Sequence, residues 1–143
     1  MKKYLILFIV AGLSLGYSCT NSNSQVQSAS ILVQESTIAK NLAPKDFAAH
    51  IKSKNDAIVL DVRTKKEVDA GHLANATNID IYGPNFKEEV SKLDKSKPVF
   101  IYCHSGRRSA NAMATLKGLG FVEVYNLSTG ISGWQAAGLP IEK

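Results

Sequence analysis

From Leu42 onward the chain alternates short, unbroken apolar runs with segments whose apolar residues recur every three or four positions. The first pattern marks strands buried on both faces, and the second marks helices with one buried stripe. Ala43-Pro44 opens a helix with proline at its first position, and Phe47, Ala48 and Ile51 share one face of it. Ala57 to Val62 is a continuous strand with an acid, Asp61, near its carboxyl end. A short helix then precedes Gly71-His72-Leu73, Thr77 to Ile81 gives another strand, and Phe86, Val90 and Leu93 define a further helical face. Pro98 leads into the strand Val99-Phe100-Ile101-Tyr102. Behind it Ala110 to Leu119 reads as a helix, with Ala110, Met113, Ala114 and Leu116 or Lys117 on its face and Gly118 and Gly120 at its end. Phe121 to Tyr125 alternates as a last strand, and a closing helix carries Trp134, whose indole is expected to cover apolar surface. Earlier in the chain, Ile31-Leu32-Val33 is open between a first strand and an apolar contact at the domain edge. Helix and strand keep alternating, which predicts an α/β domain built on a parallel sheet with helices on both faces.

The chemistry concentrates where one of these strands ends. Val99 to Tyr102 runs into Cys103, followed by the small and basic loop His104-Ser105-Gly106-Arg107-Arg108-Ser109 and then a helix. The amides at such a helix start have no partners within the helix, and the helix dipole adds positive potential. Arg107 and Arg108 add two permanent cations. A thiol in that field is expected to ionise more easily, and the thiolate is the nucleophilic form. In open α/β sheets the ligand crevice lies at the carboxyl ends of the strands, so Asp61 falls near the same edge as Cys103. Asp61 is open between orienting loop amides or an arginine and capping the segment that follows. Arg63 and Glu67, four residues apart, are expected to pair across one helical turn. His50 is taken as a surface or capping residue. His72 is taken as an anchor for its loop, since a thiolate stabilised by amides and arginines needs no adjacent base.

Upstream of the domain, Met1-Lys2-Lys3 and the apolar run Tyr4 to Leu15 have the form of a secretory signal and are too short for a comfortable membrane span. Residues 1–18 are therefore expected to be a signal peptide, 19–34 a polar linker rich in Ser, Asn and Gln, and 35–143 the folded domain. Cys19, directly after the apolar run and before Thr20-Asn21-Ser22, resembles the lipidated cysteine of a bacterial lipoprotein signal. Gly16 and Tyr17 depart from that pattern. The resemblance implies export to the cell envelope, as a periplasmic or membrane-anchored protein held through an N-terminal lipid. Loss of Lys2 and Lys3 takes the net charge from +5 to +3, too mild and scattered for nucleic acid. With Cys19 acylated on a flexible leader, Cys103 is expected to be free rather than paired. Three dispersed histidines and one available thiol make no metal-ligand cluster, and no cofactor is implied.

Four signatures together resemble one family, the single-domain rhodanese-like sulfurtransferases. They are Leu60-Asp61-Val62-Arg63 with Glu67, Gly71-His72-Leu73-Ala74-Asn75-Ala76-Thr77-Asn78-Ile79, the loop Cys103 to Ser109, and Gly130-Ile131-Ser132-Gly133-Trp134. They span roughly Leu42 to Glu142. The resemblance implies a rhodanese-like fold, with a central, mostly parallel five-stranded sheet, in an expected monomer. It also implies sulfane sulfur transfer from a small anionic donor such as thiosulfate to a thiol or cyanide acceptor, through a persulfide on Cys103. In that reading His104, Ser105, Gly106, Arg107, Arg108 and Ser109 bind the substrate, with Asp61 and Arg63 in support. One arginine faces the donor and the other faces solvent, with Arg108 favoured as the nearer. A second reading is a non-enzymatic relay module that hands sulfur to, or binds, a partner protein. Cys-based phosphatases and arsenate reductases resemble this architecture but place five residues between cysteine and arginine. Here the residue at that spacing is Ser109, while Arg108 follows Cys103 after four.

Overall fold

The computed structural model describes residues 36–143. Expectations that fall on earlier residues, namely the signal segment, Cys19, the polar linker and the strand or apolar contact at Ile31 to Val33, lie outside the described residues. The elements run β1 (Ile38–Leu42), α1 (Pro44–Ser53), β2 (Ile58–Asp61), α2 (Lys65–Asp69), β3 (Ala76–Asn78), α3 (Phe86–Ser91), β4 (Val99–Tyr102), α4 (Arg107–Gly118), β5 (Glu123–Leu127) and α5 (Gly130–Ala136). Five strands form one sheet in the order β1-β5-β4-β2-β3, and every neighbouring pair is parallel. The sheet is thus parallel throughout.

The pleat divides the core in two. Val99, Ile101 and Cys103 point to one face with Leu60 and Val62, where α3 and α4 cover them through Phe86, Val90, Ala112 and Leu116. Phe100 and Tyr102 point to the other face with Val59, beneath Phe47 of α1 and Trp134 of α5. Phe47 meets both Phe100 and Trp134 edge-on, and the indole nitrogen of Trp134 donates to the Pro140 carbonyl at 2.9 Å. The central strand β4 is buried at every position, which is why its sequence is an apolar run without alternation.

Several boundaries move from their sequence expectations. The described fold opens with β1 at Ile38, an edge strand whose mixed sequence Ile-Ala-Lys-Asn-Leu carries little apolar signal. The final strand spans Glu123–Leu127 rather than Phe121–Tyr125, and it is buried from Val124 onward because β1 and β4 flank it on both sides. Helix α4 starts at Arg107, three residues before Ala110, and its core face is Ser109, Ala112 and Leu116.

Candidate active site

The carboxyl ends of β2 and β4 lie side by side, with Asp61 in register with Tyr102. The chain beyond each supplies the candidate residues. After β4, Gly106 takes a left-handed conformation (φ +90°) that turns the backbone directly into α4. A side chain there would run into the Ser128 carbonyl, so only glycine fits. The turn folds the loop back over the sulfur. The Gly106 N–H donates to Cys103 Sγ at 3.1 Å, and the Ser109 hydroxyl lies 3.4 Å from the same atom. Cys103 is a free thiol with no solvent exposure, while His104 and Ser105 on the rim of the loop are exposed. Burial is the largest influence on this thiol and raises its pKa. The Ser109 hydroxyl and the amides of Ser109, Ser105 and Gly106 together outweigh it, leaving the pKa below the ordinary cysteine value.

The loop is fixed from behind by α5. The carbonyls of Cys103 and His104 accept the N–H groups of Ile131 (2.8 Å) and Ser132 (3.1 Å). Gly130, at φ +60°, allows this approach, because a Cβ there would collide with the carbonyls of His104 and Cys103. The Ser132 hydroxyl lies 3.2 Å from His104 Nε2. Asn126 of β5 holds a third carbonyl, donating to Gly106 O at 3.3 Å and to Asn41 of β1 at 2.8 Å. Nothing in the sequence reading singled out Asn126. Its signal was a lone amide in the otherwise apolar run Val124-Tyr125-Asn126-Leu127, since a buried amide needs partners.

The arginine pairing differs from the sequence expectation. Arg63 does not pair with the Glu67 carboxylate. It binds Asp61 instead, with Nε at 2.9 and 3.0 Å from the two carboxylate oxygens and Nη2 at 2.6 Å. Its remaining donors go to the carbonyls of Gly71 (2.7 Å) and Glu67 (3.2 Å). Asp61 is fully buried and Arg63 only 4% exposed, so the pair is desolvated and geometrically complete. Asp61 therefore orients an arginine, and that arginine ties the Glu67 carbonyl in the middle of α2 to the Gly71 turn. His72 anchors the C-terminal segment through a two-residue antiparallel bridge with Glu142.

Glu67 is left to meet Arg108 across the site. Arg108 Nη1 and Nη2 contact the two carboxylate oxygens at 2.8 and 2.6 Å, and Thr64 donates its N–H and its hydroxyl to the same carboxylate. The Arg108 hydrogen bonds, reinforced by Thr64, hold the Glu67 carboxyl down at a pKa of about 2. Arg108 is largely buried and holds its proton more tightly than an ordinary guanidinium, chiefly through its hydrogen bonds to Glu67 and in smaller part through the nearby Cys103. Arg107 is exposed to solvent. Beside the loop, Arg63, Glu67, Gly71, His104, Ile131 and Gln135 line a half-open cavity of about 290 Å³. A loop of this kind can stabilise a sulfur-centred anion by inward-pointing amides.

Comparison with known proteins agrees with this architecture. The sequence profile of the rhodanese-like domain matches residues 43–137. The thiosulfate sulfurtransferase GlpE of Coxiella burnetii is 35% identical over 89 residues, which are 62% of this chain and 81% of that protein. The tRNA uridine(34) hydroxylase of Cytophaga hutchinsonii is 40% identical over 95 residues, 64% of this chain but only 30% of that longer protein. The crystal structure of a rhodanese-related protein from Thermoplasma volcanium superposes with a TM-score of 0.64 at 32% identity, covering 72% of this chain and 97% of the other. With a matching profile over most of the described residues and the same parallel sheet, this chain belongs to the rhodanese-like domain family.

Proposed function

We propose that this protein transfers sulfane sulfur from a small anionic donor to a thiol or cyanide acceptor, through a persulfide on Cys103. The observation that carries the reading is the free Cys103 thiol, held below its ordinary pKa by the Ser109 hydroxyl and the loop amides. The thiolate attacks the outer sulfur of the donor, the donor's S–S bond breaks, and for thiosulfate sulfite leaves with the bonding pair. Cys103 then carries Cys–S–S⁻. The inward-pointing amides, which already serve one sulfur anion, stabilise the added one. An acceptor thiolate or cyanide next attacks the outer sulfur and departs with it, and the Cys103 thiolate is restored. Two half-reactions on one residue predict ping-pong kinetics.

The loop length supports sulfur over phosphate. Four residues separate Cys103 from Arg108, and the Gly106 amide is already in contact with Sγ, a ring drawn closely around one atom. Incubation with thiosulfate and cyanide should release thiocyanate, and Cys103→Ser should abolish it. Hydrolysis of an aryl phosphate in place of thiocyanate release would overturn the reading. Export to the cell envelope through a lipid on Cys19 belongs to the same proposal, and an acylated N-terminal cysteine in the intact mass of the native protein tests it.

A further inference from the structure

Arg108, in the first turn of α4 beside the Cys103 loop, is not a free cation. Its two terminal nitrogens are spent on Glu67, and Thr64 adds two more hydrogen bonds that keep that carboxylate in place. On its other side the guanidinium lies 5.8 Å from the centroid of the exposed Tyr82 ring. Arg63 is likewise consumed by Asp61, and Arg107 points into solvent. Around an ionised Cys103, the charges of Arg108 and Glu67 cancel, as do those of Arg63 and Asp61. The thiolate is then left compensated only by neutral donors, the loop amides and the Ser109 hydroxyl. A donor with two negative charges meets about twice the repulsion that a donor with one meets, because Coulomb energy scales with the product of the charges.

We infer that Glu67 is a specificity-determining residue that selects sulfane-sulfur donors carrying a single negative charge, such as organic thiosulfonates, over dianionic thiosulfate. The inference rests on the persulfide reading above and names the donor class of that same site. With a thiosulfonate, R–SO₂–S⁻, the Cys103 thiolate attacks the terminal sulfur and the S–S bond breaks. The sulfinate R–SO₂⁻ leaves with the electron pair, and Cys–S–S⁻ remains, with two negative charges on each side of the step. The chemistry matches the thiosulfate reaction bond for bond, so the two donors differ at the site chiefly in charge.

The test compares kcat/KM for thiosulfate and for methanethiosulfonate in the native protein, Glu67→Gln and Glu67→Asp, as a ratio within each protein. Both donors react with the same thiolate, so altered ionisation or partial unfolding cancels in the ratio. Glu67→Gln should raise the thiosulfate-to-methanethiosulfonate ratio on the order of tenfold, the effect of one charge removed near the donor. Glu67→Asp, which keeps the charge, should hold the ratio close to native. A rise in Glu67→Gln of less than roughly threefold, a fall, or an equal rise in Glu67→Asp overturns the inference. If neither donor adds a sulfur atom to the native protein by intact mass, the persulfide reading itself fails. Sulfur uptake with an unmoved ratio sinks only the selection by charge.

Discussion

Ser109→Ala tests the activation of the thiol most directly. The Ser109 hydroxyl has one proton and two acceptors, Cys103 Sγ at 3.4 Å and the Gly106 carbonyl at 3.1 Å. The carbonyl suffices while the sulfur is a thiol, and the ionised sulfur draws the proton to itself. A hydrogen bond to a charged group contributes about 1.5–3 kcal/mol, and the long distance here argues for the lower end. The change then leaves about tenfold less thiolate at any pH well below the midpoint of ionisation. Folding should be little affected, because the Gly106 carbonyl keeps the Ala110 N–H at 3.0 Å and the Asn126 amide. The assay is kcat/KM for sulfur uptake from methanethiosulfonate across the pH range, with the rate of alkylation by iodoacetamide as a second probe of the same ionisation. The variant should lose about tenfold on the acidic limb and recover the native rate at alkaline pH, where both thiols are ionised. An equal loss at every pH would mean that Ser109 shapes the loop and leaves the ionisation alone. An unchanged profile would refute the reasoning outright.

Further predictions follow from contacts around the loop. Gly130→Ala drives a Cβ into the carbonyls of Cys103 and His104 at a positive φ, so the melting temperature should drop and sulfur uptake should be lost with it. Asp61→Asn strands the desolvated Arg63 charge and should cost about 3–5 kcal/mol in urea unfolding. A cost below about 1 kcal/mol would show that water reaches the pair. Because the folded-state pKa of Glu67 is depressed to about 2, its contribution to stability is fully present above the unfolded-chain value near 4.3 and is lost as the pH falls toward 2. Discounted for a side chain 31% exposed, that contribution is about 1–2 kcal/mol, and Glu67→Gln should flatten the acid limb of the stability curve by this amount. Arg108→Ala leaves Glu67 facing the thiolate alone and should depress kcat/KM for every anionic donor, whereas Arg107→Ala, at an exposed position, should change it less than about threefold.

Local pattern was enough for the layers of the fold and not for the wiring of its charges. The runs Val59-Leu60 and Val99 to Tyr102 announce buried parallel strands because covering both faces leaves no room for polar alternation. The Cys103 loop was visible because a small, basic turn between such a strand and a helix has few other uses. The pairing of Arg63 was misjudged because residues four apart on a helix are neighbours, whereas Arg63 precedes α2, in the bend that follows β2, and turns back to its own Asp61. The partnership of Glu67 with Arg108 spans 41 positions and exists only once β2 and β4 are paired, so no local rule contains it. The edge strand β1 was missed for the converse reason. It has a neighbour on one side only, and its residues need not be apolar.

The two amides that α5 lends to Cys103 and His104 also bear on what this scaffold can become. They clamp consecutive peptide planes of the loop to a helix whose first residue must be glycine. An extra residue inserted before Arg108, the change that would enlarge the ring for a tetrahedral oxyanion, would push those planes off their donors and strand two carbonyls under α5. Evolution toward ester hydrolysis on this backbone would therefore have to displace the last helix before it could profit from a longer loop.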